Sequence, residues 1–372
     1  MSKIGLDLRF WRGETGGLGR YSRNLLGELL KLDTKNNYTA IITPADEAEF
    51  SLTAPNLTKL VVPIAHYSLS EQRRLPKILN EQHFDLVHFA NFNHPIFYGG
   101  KFVVTIHDLI MHVFPTGAQK DSWLRRAAYR KVMNDCKRAE TIIVPSLSTK
   151  KDLVNMLNFP AAKIVVTPEG SEEKFKVATP SAIAAVKAKL NLPERYILFV
   201  SRWERYKGLP ALLEAFETIT QESSDVGLVI TGKPDKQNPE IAALVKTKQS
   251  MGQRIVAPGF VPDDDLPALY SGAVAYVHPS WYEGFGLMIL EAFSAGAPVV
   301  TSNTSSLPEV VGDAGLLVDP KKPAEIAAAV RRILSDPKFA ADLRQKGLAR
   351  AKEFSWAKMA AETLEIYKKV LG

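Results

Sequence analysis

The sequence predicts an α/β protein built from two doubly wound domains, and three observations carry that expectation. Short β-rich runs alternate with helical patterns from one end of the chain to the other. Strand, helix, strand, helix implies parallel sheets covered on both faces. Thirteen such runs are present, too many for one ordinary open sheet. A polar stretch with no core pattern, "EGSEEKFKVATPS" from Glu169 to Ser181, separates a first set from a second and reads as the interdomain linker.

In the first half the strand candidates run Lys3 to Leu6, Tyr38 to Ile42, Thr58 to Val62, Asp85 to Phe89, Phe102 to Ile106, Thr141 to Val144 and Ile164 to Thr167. In the second half they run Tyr196 to Val200, Gly227 to Ile230, Ile255 to Ala257, Ala273 to Val277, Pro298 to Thr301 and Gly315 to Val318. The clearest amphipathic segment ends the first strand's loop: Leu18, Tyr21, Leu25, Leu29 and Leu32 step by three or four and mark one buried face. In such folds ligands lie at the carboxyl ends of strands, and between two domains they lie in the cleft.

Bulk composition narrows the class. At 372 residues, 46% hydrophobic and 23% charged, the chain is an ordinary globular protein large enough for two cores. No apolar run approaches the ~18 residues of a membrane-spanning helix. The N-terminus carries charges inside its apolar stretch, so a secretory signal is not expected. The single cysteine, Cys136, excludes an intramolecular disulfide and a Cys-rich metal site and fits a reducing cytoplasm. A net charge of +7 favours an anionic partner without naming it: nucleic acid, a phosphorylated ligand or an acidic membrane face. One stretch concentrates that charge, with Lys120, Arg125, Arg126, Arg130 and Lys131 around Trp123 and Tyr129. Its sides do not separate cleanly at 100° per residue, so a solvated basic helix is read ahead of a membrane contact.

Four stretches carry chemistry. "WYEGFGLMILE", Trp281 to Glu291, follows a buried strand and opens a helix. Gly284 and Gly286 let backbone approach a ligand, and the first helical amides are unpaired donors with partial positive charge. This is a phosphate-binding arrangement. Glu291 lies about five residues into the helix, roughly 7 Å along its axis, within reach of a ribose; Glu283 faces what lies beyond the phosphates. The blander reading is a glycine turn with two unrelated acids. "ILFVSRWERYKGLPALLEAF" is again strand, loop and helix, and its loop places Arg202 and Lys207 over the same edge, as a diphosphate requires. Two loop cations also fit plain solvated surface, which is the reading for Glu204 and Arg205. "RGETGGLGRYSRNLL" brings Gly16 and Gly17 before the first helix, without the spacing of a dinucleotide or P-loop motif; a tight turn explains it equally. "FVVTIHDL" ends a strand at His107 and Asp108, where an imidazole can donate to a substrate or only to neighbouring backbone, with Asp108 capping the next turn.

Metal sites are not expected. Asp263, Asp264 and Asp265 precede an apolar-periodic segment, and helix capping accounts for them better than a cation does. His112 belongs to no H-E-x-x-H arrangement.

In this order the four stretches resemble the retaining nucleotide-sugar glycosyltransferases of family 4, over nearly the full length. "GGLGRYSRNLL", "TIHDL", "VPSLSTKKDL", "SRWERYKG" and "HPSWYEGFGLMILEAFSAGAPVV" carry the likeness, and Glu283 and Glu291 match the family's E-x7-E signature. The resemblance implies the GT-B fold, with an acceptor-side domain over residues 1–175, a nucleotide-sugar domain over 185–355, and a last helix, 356–372, packing back on the first domain. It implies that Glu283 meets the donor sugar and Glu291 the ribose. The amides of Gly286 and Leu287, within the segment Gly284, Phe285, Gly286 and Leu287, would hold the diphosphate beside Arg202 and Lys207. Gly16, Gly17 and His107 would serve from the acceptor side, His107 touching the donor sugar. Four positions depart from the pattern: Met288 for a common Pro, Ser201 for a common Gly, and Glu169 and Ser171 where an Asn-Gly-Val-Asp run is frequent.

The implied activity is retaining hexosyl transfer without metal or cofactor. GDP-mannose is the favoured donor, ahead of UDP-glucose, UDP-GlcNAc and dTDP-rhamnose. A glycan or lipid-diphosphate oligosaccharide of surface-polysaccharide synthesis is the acceptor expected, with an anionic membrane face nearby and no nucleic-acid partner. The alternatives are a GT-B epimerase or phosphorylase, a non-catalytic nucleotide-sugar-binding subunit, and a basic nucleic-acid-binding protein.

Overall fold

The computed structural model describes residues 1–13, 16–115 and 122–372. The chain divides into two compact units, Met1–Glu169 with Ser355–Gly372, and Gly170–Phe354.

The first unit holds β1 (Lys3–Asp7), β2 (Asn37–Ile42), β3 (Leu57–Val61), β4 (Leu86–Phe89), β5 (Phe102–Thr105), β6 (Thr141–Val144) and β7 (Ile164–Val166). They form one parallel sheet in the order β3-β2-β1-β4-β5-β6-β7. The second unit holds β8 (Arg195–Val200), β9 (Val226–Thr231), β10 (Ile255–Gly259), β11 (Ala275–His278), β12 (Val299–Ser302) and β13 (Leu316–Val318), ordered β10-β9-β8-β11-β12-β13 and again parallel. Each run expected as a strand is one.

The reason is legible in burial. Tyr196, Ile197, Leu198 and Phe199 of β8 are all buried, and alternate residues enter opposite cores. Tyr196 and Leu198 pack with Val229, Tyr276 and Val299 on one face. Ile197 and Phe199 pack with Leu228, Ile230, Val277 and Val300 on the other. A strand buried on both faces must be apolar throughout, hence the unbroken hydrophobic runs.

The helix Gly17–Leu32 follows β1 and buries Tyr21, Leu25, Leu26 and Leu29. The stripe is shorter than its spacing implied: Leu18 is half-buried and Leu32 exposed, so the two ends of the helix are less covered than its middle. The last helix, Trp356–Leu371, lies against this one in the first unit. Ser355 caps it by accepting the Lys358 amide at 3.1 Å. The Trp356 ring meets Tyr21 edge-on at 6.4 Å, and the Tyr367 hydroxyl lies 2.5 Å from His88 Nδ1.

Both sheets reverse strand order at one point: beside β1 and β4 in the first, beside β8 and β11 in the second. Such a switch opens a crevice at the strands' carboxyl ends, because consecutive connections leave in opposite directions.

Candidate active site

In the second unit the segments leaving β8 and β11 lie side by side, since those strands pair directly. The Tyr206 carbonyl accepts the Trp281 amide at 2.7 Å and the Ser280 hydroxyl at 3.3 Å. Gly208 sits at φ +75°, and a Cβ there would stand 1.9 Å from the Pro279 carbonyl oxygen. Only glycine permits this approach. The short turn Arg205–Lys207 ends against that glycine and aims Lys207 across to the β11 side.

There Lys207 Nζ donates to both oxygens of Glu283, at 2.8 and 3.0 Å, and both side chains are buried. His278, the last residue of β11, contacts Glu283 Oε1 through Nε2 at 2.7 Å. The Tyr276 hydroxyl lies 3.1 Å from the other ring nitrogen of His278. Burial alone would push the Glu283 carboxyl up. The Lys207 charge and the His278 bond outweigh it and hold the group well below the usual carboxylate range. Glu283 is therefore ionised at any ordinary pH and cannot serve as a general acid.

The Glu283 backbone is equally fixed. Its amide donates to Ser305 Oγ at 3.2 Å, while its carbonyl accepts from the Ser305 and Ser306 hydroxyls at 2.5 and 2.9 Å. Ser305 has a φ of +56°, unusual for a residue with a side chain, in a segment that follows β12.

Gly284, Phe285 and Gly286 complete the turn. Phe285 is buried and meets the Phe354 ring at 5.8 Å. Gly286, at φ +120°, is the N-cap of the helix Leu287–Ser294, and no side chain caps it. The helix thus presents its first amides, with the associated partial positive charge, beside Lys207 and Glu283. Glu291, one turn on, is buried and accepts a hydrogen bond from the Tyr270 hydroxyl at 3.2 Å.

Arg202 does not join this cluster in the way expected of it. Its side chain is 73% exposed and lies 3.4 Å from Glu204, whereas Lys207 is buried. Glu204 in turn is largely covered and accepts the Tyr206 hydroxyl at 2.6 Å, so it is not the solvated acid anticipated. Arg202 and Glu204 border a cavity of about 310 Å³ with Lys233, Asp235 and Gln237. The three aspartates before Leu266 also differ from expectation. No side chain caps the helix Leu266–Ser271; Asp265 pairs with Lys189 at 2.7 Å and Asp263 with Lys174 at 3.1 Å.

In the first unit His107 lies just past the end of β5. Its Nδ1 is 3.0 Å from Glu169 Oε1 and its Nε2 2.9 Å from the Ala90 carbonyl. Asp108 accepts the Ile110 amide at 2.8 Å, the turn-capping role anticipated for it. Gly16, at φ +63°, is the exposed N-cap of Gly17–Leu32, with Gly17 exposed beside it. Among the described residues no group of three or more His, Cys, Asp or Glu is placed to hold a metal ion.

Sequence reasoning missed His278, Tyr276, Ser305 and Gly208. Tyr276 lies inside the run read as strand and His278 directly after it, and no local signal marks them; their roles arise because the turn after β11 brings Glu283 back to His278.

Two family models match the chain: "Glycosyltransferase Family 4" over residues 15–173 and "Glycosyl transferases group 1" over residues 182–350. The chain is 32% identical over 371 residues to the O-antigen chain mannosyltransferase B of Escherichia coli, covering 95% of this chain and 96% of that protein. It is 28% identical over 360 residues to the serotype-specific mannosyltransferase WbdA of Escherichia coli, covering 91% of this chain and 43% of that one. Among solved structures, HepE of Anabaena in complex with UDP and glucose superposes with a TM-score of 0.79 at 19% identity, over 99% of this chain and 100% of that one.

Proposed function

Because this chain belongs to glycosyltransferase family 4 and has the GT-B fold, we propose that it transfers mannose from GDP-mannose, with retention, to a glycan or lipid-diphosphate oligosaccharide of surface-polysaccharide synthesis. The observation that carries the site assignment is the buried Lys207–Glu283 pair beside the uncapped start of Leu287–Ser294. The mannosyltransferase names of the two Escherichia coli relatives support the donor.

In this reading the Gly286 and Leu287 amides and Lys207 hold the diphosphate, with Arg202 turning in from its exposed position. Gly284 and Phe285 shape the turn, and Glu291 meets the ribose. As the bond from the anomeric carbon to the diphosphate breaks, its electron pair passes to the leaving phosphate oxygen. The acceptor hydroxyl bonds to the same face of that carbon and gives its proton to the departing phosphate. Donors aimed at the growing charge are the main source of acceleration, each worth ~3–4 kcal/mol. Glu283, kept anionic, holds Lys207 in place and offers its remaining lone pairs to the sugar. In the first unit this reading assigns Gly16, Gly17 and His107, each after the carboxyl end of a strand, to substrate binding.

The test is a thermal-shift screen followed by an acceptor-dependent assay, since a ligand bound only to the folded chain raises its apparent stability. GDP-mannose is expected to stabilise the chain most, and GDP release to require an acceptor. Stabilisation by UDP-glucose, UDP-GlcNAc or dTDP-rhamnose alone would replace the donor, and binding without turnover on any acceptor would remove the transferase reading.

We also infer a peripheral site of action, on the inner face of the cell membrane. Among the described residues no helix is long and apolar enough to cross a membrane. The helix Trp123–Asp135, however, buries only Tyr129 and Met133. Trp123 and Leu124 are 70% and 61% exposed, beside exposed Arg125, Arg126, Arg130 and Lys131. Lys120 lies outside the described residues. An apolar tip with adjoining cations fits an anionic bilayer surface. Cosedimentation with phosphatidylglycerol vesicles but not with neutral ones is expected, weakened by Trp123→Ser and by high salt; equal recovery with both vesicle types removes the inference.

A further inference from the structure

We propose that Glu169 is a positioning residue for His107, holding the imidazole doubly protonated and in one orientation for transfer; this deepens the transferase reading and rests on it for its purpose. The argument begins with the two partners of the ring. Nδ1 lies 3.0 Å from a carboxylate oxygen of Glu169, and Nε2 lies 2.9 Å from the Ala90 carbonyl. The carbonyl is an acceptor only, and so is the carboxylate form of Glu169. A neutral imidazole has a single N–H and would present a lone pair to one of them, whereas the imidazolium donates to both.

The surroundings agree. Burial opposes a charge on the ring, but the hydrogen bond and charge of Glu169 prevail, with smaller contributions from the Ala90 carbonyl and Asp108, so the His107 pKa rises above its ordinary value. From the helix Gly17–Leu32, the Tyr21 ring stands edge-on at 4.6 Å, and burial keeps its phenol neutral. From β4, His88 is buried and its pKa falls to about 3, by burial first and by the charge of His107 second. It too is neutral. From the helix Leu147–Leu157, the Thr149 hydroxyl lies 3.5 Å from the His107 carbonyl. Among the described residues named here, the charged groups facing the ring are two carboxylates, Glu169 and Asp108.

Glu169 is itself buried and ends the first of the two segments that make up the first unit. A buried carboxylate is tolerated when paired and costly when not. The pair therefore fixes a cationic ring at the carboxyl end of β5, the edge at which parallel sheets bind ligands, where it favours groups that gain negative charge.

The test uses the full chain with ¹⁵N-labelled histidine, His107 being identified by the signal lost in His107→Gln. In the wild type His107 is expected to keep imidazolium nitrogen shifts above the ordinary histidine midpoint of ~6.5. In Glu169→Gln, which retains an oxygen acceptor but no charge, the midpoint falls by at least ~1 pH unit, the scale of one nearby opposite charge. Glu169→Asp recovers most of the elevation. The alkaline limb of the transfer pH profile shifts with the same order among the variants. A neutral His107 at pH 6.5 in the wild type, or equal midpoints in wild type and Glu169→Gln, overturns the assignment. A shifted midpoint in a chain that transfers no sugar upholds the Glu169–His107 coupling and sinks the transferase reading instead.

Discussion

Lys207 and Glu283 form a two-oxygen ion pair, 2.8 and 3.0 Å long, whose partners come from the connections after β8 and β11 and are both buried. Neither charge is tolerable alone. Removing one partner of a buried pair strands the other, at a cost of about 3 to 5 kcal/mol. Glu283→Gln is expected to lower the urea-unfolding free energy by about that amount and transfer by at least ~100-fold. Lys207→Ala is expected to lower transfer similarly but to cost less stability, since His278 still reaches Glu283 at 2.7 Å. Wild-type stability and wild-type transfer in Glu283→Gln would show that the pair carries neither function.

Acid should weaken the fold through two groups. Glu283 has a folded pKa held below the carboxylate range, against burial, by Lys207 and His278. Its contribution is complete above the unfolded value of ~4.3 and disappears as pH falls through the folded value. His88 is a base depressed to about 3, by burial first. Its contribution is complete above ~6.5 and is lost as pH falls toward the folded value. Urea titrations are expected to give stability that falls steadily from pH 6.5 to 4. His88→Gln should flatten the upper part of that slope; an unchanged slope would contradict a neutral, buried His88.

Gly208→Ala tests the seam between the two connections. The added methyl would meet the Pro279 carbonyl at 1.9 Å on a backbone with φ +75°, and relief requires the segments to part. Expression as an unfolded or nucleotide-insensitive chain is expected by circular dichroism and thermal shift. Normal melting with normal nucleotide response would mean the seam is looser than described.

Tyr367→Phe tests the docking of the last helix within the first unit. The substitution removes the hydroxyl 2.5 Å from His88 Nδ1 and leaves that nitrogen buried without it. A loss of about 1 to 3 kcal/mol is expected in denaturant unfolding. An unchanged midpoint would assign the helix's anchorage to apolar packing of Trp356, Met359 and Leu364 alone.

How much of this was legible beforehand depends on the range of each interaction. The strands were legible because runs such as Tyr196 to Val200 and Gly227 to Ile230 are short, apolar and rich in β-formers, and composition is a local property. The turn Glu283 to Leu287 was legible because glycines and acids interrupt an apolar run. His278 was not. As the last residue of a strand it has no unusual neighbours in sequence, and its contact with Glu283 exists only because the turn folds back beneath it. Lys207 and Arg202 are alike in sequence and opposite in the structure, since Gly208 fixes one inward while the other lies exposed beside Glu204. Glu169 did leave a trace, as a charged residue where the family pattern frequently has asparagine, but its partner His107 lies 62 residues away.

The most direct measurement is a crystal structure of the chain grown with GDP-mannose. The β-phosphate is expected within hydrogen-bonding distance of the Gly286 and Leu287 amides and of Lys207 Nζ, with Glu283 still bonded to Lys207. A nucleotide bound elsewhere on the chain, with the start of Leu287–Ser294 facing only water, would contradict the assignment.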